Sequence, residues 1–412
     1  MLNVVAIFLS ITALLAYLNR RYVGLPPAIG VMAIALVLSL LNMLADKLGF
    51  HTLSLLEQSL VEAVDFSELL MQGMLSLLLF AGAIHVNLKQ LRAYRWQVAS
   101  LAVIGTALST VIIGVALWGI SSLTGLQLPF IYCLIFGALI SPTDPIAVLG
   151  ILSSVGAPKN VELVMSGESL FNDGVSVVLF SLLIGMLAGT EVPTVSGAAT
   201  LLLREAGGGA LLGALMGYII YLMLKSIDSY QEEVLLTLAA VLGGYALAIA
   251  LEVSGPLAMV VMGLIIGNQG RSSAMSEETE RNIDMFWELL DEILNAVLFV
   301  LIGLEVILLH FTHTLLGVAG LVILLTLAAR LLTVGLPVAL FNSLFRLPKG
   351  AWAVLTWGGL RGGISVALAL SLPPGETRDT LVSLTYLVVV FSILMQGTSV
   401  GKLTSRVMRP EK

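Results

Sequence analysis

Ser141-Pro142-Thr143-Asp144-Pro145 lies in the middle of an apolar run at 129–153, and no continuous helix can pass through it. Each proline removes a backbone donor and crowds the preceding turn, and Asp144 puts a carboxylate among apolar neighbours. A second interruption, Gly358-Gly359-Leu360-Arg361-Gly362-Gly363, splits the run at 350–372. Clustered glycine weakens the helical ladder there. Backbone groups freed at membrane depth are tolerated only where they are buried in protein or line a cavity. The two interruptions therefore predict a polar centre inside a membrane protein.

The rest of the chain agrees. Of its 412 residues, 58% are hydrophobic and 11% charged, and its mean hydropathy is +1.02, whereas soluble chains carry about 25% charge. Reading apolar runs between charged or Pro/Gly-rich breaks gives thirteen candidate spans, at 2–18, 25–44, 67–86, 95–120, 129–153, 160–189, 200–224, 231–252, 256–269, 283–309, 315–345, 350–372 and 380–403. The expected fold is an all-α polytopic membrane protein forming one domain over 1–412, with no room for a separate soluble domain. The first run is read as a span and not a signal peptide, because Arg20 and Arg21 follow it instead of preceding it.

If the chain alternates sides, one side collects Arg20, Arg21, Lys89, Arg92, Arg95, Lys159, Lys225, Arg271, Arg281, Arg346, Lys349 and the tail's Lys402, Arg406, Arg409 and Lys412. The other collects only Lys47 and Arg378. This asymmetry predicts an outside N-terminus and a cytoplasmic C-terminus in the cell's inner membrane. Thirteen spans divide into repeats at about 1–190 and 231–405 around a linker helix at about 200–224. The second repeat starts from the opposite side, so the repeats are inverted, as in many secondary transporters. The broken fifth and twelfth spans are then counterparts.

Several functions are excluded. A net charge of −6 without a basic block argues against nucleic acid. No Gly-x-x-x-x-Gly-Lys-Ser/Thr loop is present for ATP. Cys133, the single cysteine, leaves no disulfide and no thiolate cluster for a metal, so no cofactor is expected.

A charge at the bilayer centre costs about 2.5–3.5 kcal/mol on insertion scales, yet Asp144, Glu168, Asp173, Arg330 and Arg361 share that depth by position along their spans. Glu168, Ser169, Asn172, Asp173 and Ser176 form one polar stripe on the sixth span. Three acids facing two bases leave one carboxylate without a countercharge. Burial favours its protonated form unless a cation replaces the proton, and two ligands competing for one oxygen site is the chemistry of an exchanger. Asp173 lies about 20 Å from its helix end, and this argument alone leaves Asp144, Glu168 and Asp173 as the candidates for that carboxylate. A purely structural ion-pair network is the plain alternative. A channel would need a continuous pore instead of a central break, and an intramembrane aspartyl protease would need two acids close enough to share a proton and a Gly-x-Gly-Asp motif that is absent.

Gly167-Glu168-Ser169-Leu170-Phe171-Asn172-Asp173-Gly174 resembles the signature of the Na⁺/H⁺ antiporters of the NhaP and NHE branch of the cation/proton antiporter superfamily. The Ser-Pro-Thr-Asp-Pro motif at 141–145, Ala-Ala-Arg at 328–330 and Gly-Gly-Leu-Arg-Gly at 358–362 agree in order, and the resemblance covers nearly the whole chain. It implies electroneutral Na⁺ (or Li⁺) for H⁺ exchange, with K⁺ for H⁺ as the nearest alternative, by a homodimer whose core domain carries the site past a dimerisation domain. It implies that Asp173 binds the cation and the proton in alternation, with Asp144, Ser169 and Thr143 completing a Na⁺ shell. Asn172 is the family's Asn before the Asp, associated with one-for-one exchange. Glu168 would pair with Arg330, and Arg361 would offset the carbonyl ends of the broken helices as Asp144 offsets the amide ends. One position departs: where many members carry a third-helix Glu in Leu-Leu-Phe-Glu-Gly-Ala, this chain has Ala81, which leaves ion choice open.

Other features carry less. Asp284, Glu288, Asp291 and Asn295 could line an acidic funnel or form a solvated face. Gly209, Gly213 and Gly217 make a face for close helix packing, within one protomer or at a dimer contact. Glu305 reads as a structural acid, Arg204 and Glu205 as interfacial residues, and His51, His85, His310 and His313 as solvated loop residues.

Overall fold

The computed structural model describes residues 2–49, 73–189, 200, 203–271, 275–308 and 312–408. His51, His310, Arg409 and Lys412 lie outside them. The fold is all-α, and the one extended feature among the described residues is an isolated bridge between Asp144 and Leu360. In chain order the helices are α1 (Leu2–Leu18), α2 (Pro27–Lys47), α3 (Leu75–Ile84), α4 (Leu88–Thr124), α5 (Phe130–Ile140), α6 (Ile146–Ser154), α7 (Lys159–Leu187), α8 (Leu203–Leu224), α9 (Tyr230–Ala250), α10 (Gly255–Gly270), α11 (Glu277–Glu305), α12 (His313–Leu340), α13 (Ala351–Trp357), α14 (Gly363–Leu370) and α15 (Glu376–Val407). Among the described residues seven are long and apolar enough to cross a bilayer, namely α2, α4, α7, α8, α9, α12 and α15.

Both interruptions appear where the sequence places them. The run at 129–153 becomes α5 and α6, and the run at 350–372 becomes α13 and α14. Elsewhere two helix starts move well outward. The span expected at 95–120 begins at Leu88, where the Asn87 side chain accepts from the Gln90 amide. The span expected at 283–309 begins at Glu277, where Ser276 accepts from the Thr279 amide. Side-chain acceptors at helix starts satisfy otherwise unpaired amides, so polar turns excluded by hydropathy still belong to the helix.

The long helices wrap the broken ones. Phe136, Ile140, Val148, Val354 and Leu360 are fully buried or nearly so, which places the interruptions in the core. The small-residue face of α8 packs inside the chain. A side chain at Gly209 would run into the carbonyl of Ser254, and one at Gly213 into that of Ala258. These glycines set α8 against α10 at backbone contact, so the dimer reading of the stripe falls.

Candidate functional site

The two unwound segments cross antiparallel. The Asp144 amide donates to the Leu360 carbonyl at 2.8 Å, a bond available only because neither residue is helical. Neighbouring helices satisfy the rest of the opened backbone. At the first break, Asn172 of α7 accepts from the Thr143 amide at 3.4 Å and donates to Thr143 Oγ1 at 2.9 Å, and Thr143 Oγ1 lies 2.9 Å from Ser169 Oγ. At the second, Ser392 Oγ accepts from the Arg361 amide at 2.9 Å and Gln396 donates to the Trp357 carbonyl at 2.8 Å, with Ser392 donating to Gln396 at 2.7 Å. Ser392 and Gln396 were missed in the sequence. Their only signal is two polar residues one turn apart in an apolar span.

Each guanidinium is committed. Arg330, 5% exposed, grips both oxygens of Glu168, 1% exposed, and also donates to the Leu355 carbonyl. This ties α7 to α12 and to the last turn of α13. Arg361 donates to the carbonyls of Ser141 and Pro142, just past the end of α5, where a helix presents its negative end. Asp144 sits against Gly362, immediately before the first turn of α14, where the helix presents amides. Neither arginine bonds to Asp173 among the described residues.

Asp173 and Asp144 share the wall of a cavity of about 600 Å³ with Thr143. Ser169 and Asn172 stand behind that wall, holding Thr143. The cavity also reaches Lys159 and Glu162 at the start of α7 and His85 after α3. Lys159 and Asp173 are separated by about 21 Å of helix at 1.5 Å per residue, so the cavity is a passage from one end of the bundle to its middle. Asp291 and Asn295 of α11 face it, while Asp284 is paired with Arg271 and Glu288 is exposed. The acidic stripe is thus divided, half lining the passage and half outside it. At the mouth, His85 lies 3.7 Å from Asp284 and 3.5 Å from Arg271. Burial pushes its imidazole below the usual range, opposed by Asp284 and reinforced by Arg271. Ala81 and Gly82 contribute the α3 wall and no charge.

Gly362 is required by this geometry. A Cβ there would stand 2.6 Å from both Cβ and Oδ2 of Asp144, closer than packed atoms approach. Gly362→Ala should therefore displace the Asp144 carboxylate and lower cation affinity, giving a raised half-saturating concentration in a transport assay. An unchanged concentration dependence would show that Asp144 has no part in binding.

Other acids are placed differently. Glu305 is buried at the end of α11, beside Tyr386, whose hydroxyl donates to the Ile302 carbonyl. Arg204 pairs with Glu252, both exposed.

The model of the family described as sodium/hydrogen exchanger, transmembrane, matches residues 9–406. A Na⁺/H⁺ antiporter NhaP of Pseudomonas aeruginosa is 54% identical over 99% of this chain and 97% of its own length. A Na⁺/H⁺ antiporter NhaH of Halobacillus dabanensis is 33% identical over 98% of this chain and 96% of its own. Among solved structures, the sodium proton antiporter of Methanocaldococcus jannaschii superposes with a TM-score of 0.69 at 21% identity, covering 93% of this chain and 99% of that one, a likeness of fold. By the family match along nearly its whole length and by these identities, this chain belongs to the transmembrane sodium/hydrogen exchanger family.

Proposed function

We propose that the chain is a secondary antiporter that exchanges a monovalent cation, Na⁺ in the first instance, for protons at Asp173. The observation that carries this reading is the charge balance at the crossing. Arg330 is bound to Glu168 and Arg361 to the carbonyl end of α5, so the carboxylate of Asp173 faces the cavity without a guanidinium partner among the described residues. A buried carboxylate in that position holds a proton or a cation and not both. Protonated, it has no charge to offer Na⁺. Deprotonated, it joins Asp144 and the Thr143 oxygens in a set of hard donors suited to an alkali cation.

Asn172 and Ser169 act through Thr143, fixing the oxygens that complete the shell. Arg361 and Asp144 stabilise the open helix ends, and the Glu168–Arg330 pair holds α7 in register with α12. One set of ligands serving two ions in turn makes exchange strictly coupled, and loading from alternate sides needs a moving body. The near-symmetric placement of the two breaks supports inverted repeats around α8 in a single membrane domain. The mouth carries Lys159, on the side that collects the basic residues. That supports a cavity open to the cytoplasm, an external N-terminus, and residence in the inner membrane. Gradients of the two ions supply the driving force. A homodimer would provide the fixed body against which the site moves.

The test is proton movement in proteoliposomes after addition of Na⁺, Li⁺ or K⁺, followed across pH with the membrane voltage clamped. Exchange should fade at low pH, where protons occupy the site, and at high pH, where none are available to move. A response to Na⁺ and Li⁺ independent of voltage supports electroneutral Na⁺/H⁺ exchange. A response confined to K⁺ would reassign the cation, and no response to any of the three would overturn antiport.

A further inference from the structure

A second cavity lies on the opposite face of the site helix. It measures about 880 Å³ and runs between α4, α7 and the start of α10. On α4 its wall follows one helical face, with Arg92, Arg95, Val98, Ala102 and Ala107 at successive turns. That face changes character along its length: Lys89, Arg92 and Arg95 stand together at one end, and everything beyond Arg95 on it is apolar. From Arg95 to Ala107 the helix rises about 18 Å, close to the ~15 Å of hydrocarbon in one leaflet. The facing wall is apolar throughout, with Phe171, Val175 and Val178 of α7 and Leu257 of α10.

We propose that this groove is a binding site for one anionic phospholipid, with its phosphate at Lys89, Arg92 and Arg95 and an acyl chain lying along α4 toward Ala107. Three observations agree on that occupant. The three basic side chains are exposed, and none is ion-paired to a carboxylate among the described residues, so they are available to an anion. The apolar length matches one leaflet and not a full bilayer, as expected for an occupant anchored at the surface. The basic end also faces the side that collects most of the chain's positive charge, where anionic headgroups gather basic residues. A zwitterionic lipid would fill the apolar part equally well, but the ammonium group of its headgroup offsets the phosphate charge facing the three cations, so net headgroup charge is what the site selects.

The consequence for transport follows from what the occupant touches. Phe171, Gly174, Val175 and Val178 of α7 flank Asp173 on the far side of the same turns, and Gly174 is where α7 meets Leu257 of α10. A lipid chain there wedges the helix that bears the site against its neighbour. This last step rests on the proposed exchange activity. Lipid binding itself does not.

The measurement is titration of the delipidated, detergent-solubilised protein with phosphatidylglycerol and, separately, phosphatidylcholine, read by native mass spectrometry. Each basic residue near an anionic surface is worth about a fivefold change in affinity, so K89Q/R92Q/R95Q should bind phosphatidylglycerol weaker by on the order of a hundredfold and lose far less affinity for phosphatidylcholine, whose ammonium offsets its phosphate. Ala99→Trp fills the groove and keeps every charge. It should lower retention of both lipids. K402Q/R406Q removes exposed basic side chains distant from the groove and should bind as wild type does. Equal phosphatidylglycerol binding by wild type and the triple variant, or no effect of Ala99→Trp, would mean annular lipid only and overturn the site. An effect of K402Q/R406Q as large as that of the triple variant would do the same by making the response one of bulk charge. In proteoliposomes, exchange by wild type should rise with phosphatidylglycerol content and exchange by the triple variant should not. Loss of all exchange with lipid binding intact would count against the proposed function and leave the groove assigned.

Discussion

Asp173→Asn should leave a folded protein in the membrane that no longer moves protons when Na⁺, Li⁺ or K⁺ is added, its signal falling to that of empty liposomes. Two physical statements combine in this expectation. Asparagine is nearly the same size as aspartate, so the packing around α7 is kept, but it can neither release a proton nor carry the negative charge that holds a cation. Asp173 also has no guanidinium partner among the described residues, so neutralising it strands no buried cation and removes a buried charge whose desolvation the fold must otherwise offset. The thermal unfolding midpoint should therefore stay where it is or rise. Activity lost together with stability would make Asp173 part of the scaffold. Activity retained would remove it from the site altogether.

The reverse pattern is expected at Glu168, another of the buried acids. Arg330→Met leaves the nearly inaccessible carboxylate of Glu168 without the two-pronged partner that now neutralises it. Removing one member of a buried pair costs about 3–5 kcal/mol, because the remaining charge stays desolvated. The double variant E168M/R330M replaces both charges with apolar groups of similar bulk and should regain most of that loss. Unfolding midpoints of the two single variants and the double variant form the cycle. A single variant as stable as wild type would show that the pair contributes nothing to the fold. The double variant's transport then assigns the role: stability regained with exchange intact makes the pair scaffolding, and stability regained without exchange places it in the chemistry.

Much of this was legible in the sequence because a bilayer makes polar residues conspicuous. In a soluble protein Asp144, Asp173 or Arg361 would be unremarkable, whereas in spans of Leu, Val and Ile each has a cost that demands a reason. Their depth could be counted residue by residue, and the breaks showed where the backbone itself would be exposed. What could not be counted was rotation about each helix axis. Sequence placed three acids and two bases at one level without fixing where each arginine's remaining donors go. The contacts of Arg361 with Ser141 and Pro142 and of Arg330 with Leu355 are settled by how α13 is turned against α5 and α12. Ser392 and Gln396 escaped for a related reason. Serine and glutamine cost little inside a helix that can satisfy them locally, so their role appears only once the opened backbone of the second break is seen beside them. The Asp284–Asn295 stripe reads as uniform in spacing, but its members separate by depth, with Asp291 and Asn295 deep enough to reach the cavity and Glu288 at the surface. The glycines of α8 announced close packing without naming the partner, because a small-residue face is complementary to any helix that reaches it.

The bridge between Asp144 and Leu360 makes two distant stretches of chain behave as one locus. Each break supplies what the other lacks: an amide from the first meets a carbonyl from the second, and a guanidinium from the second closes the carbonyls of the first. Rewinding either segment into regular helix would withdraw a partner from the other. The two motifs can therefore be neither inherited nor engineered separately, though just over half the protein lies between them. A graft of one break from a relative into this chain would succeed only if its counterpart travelled with it.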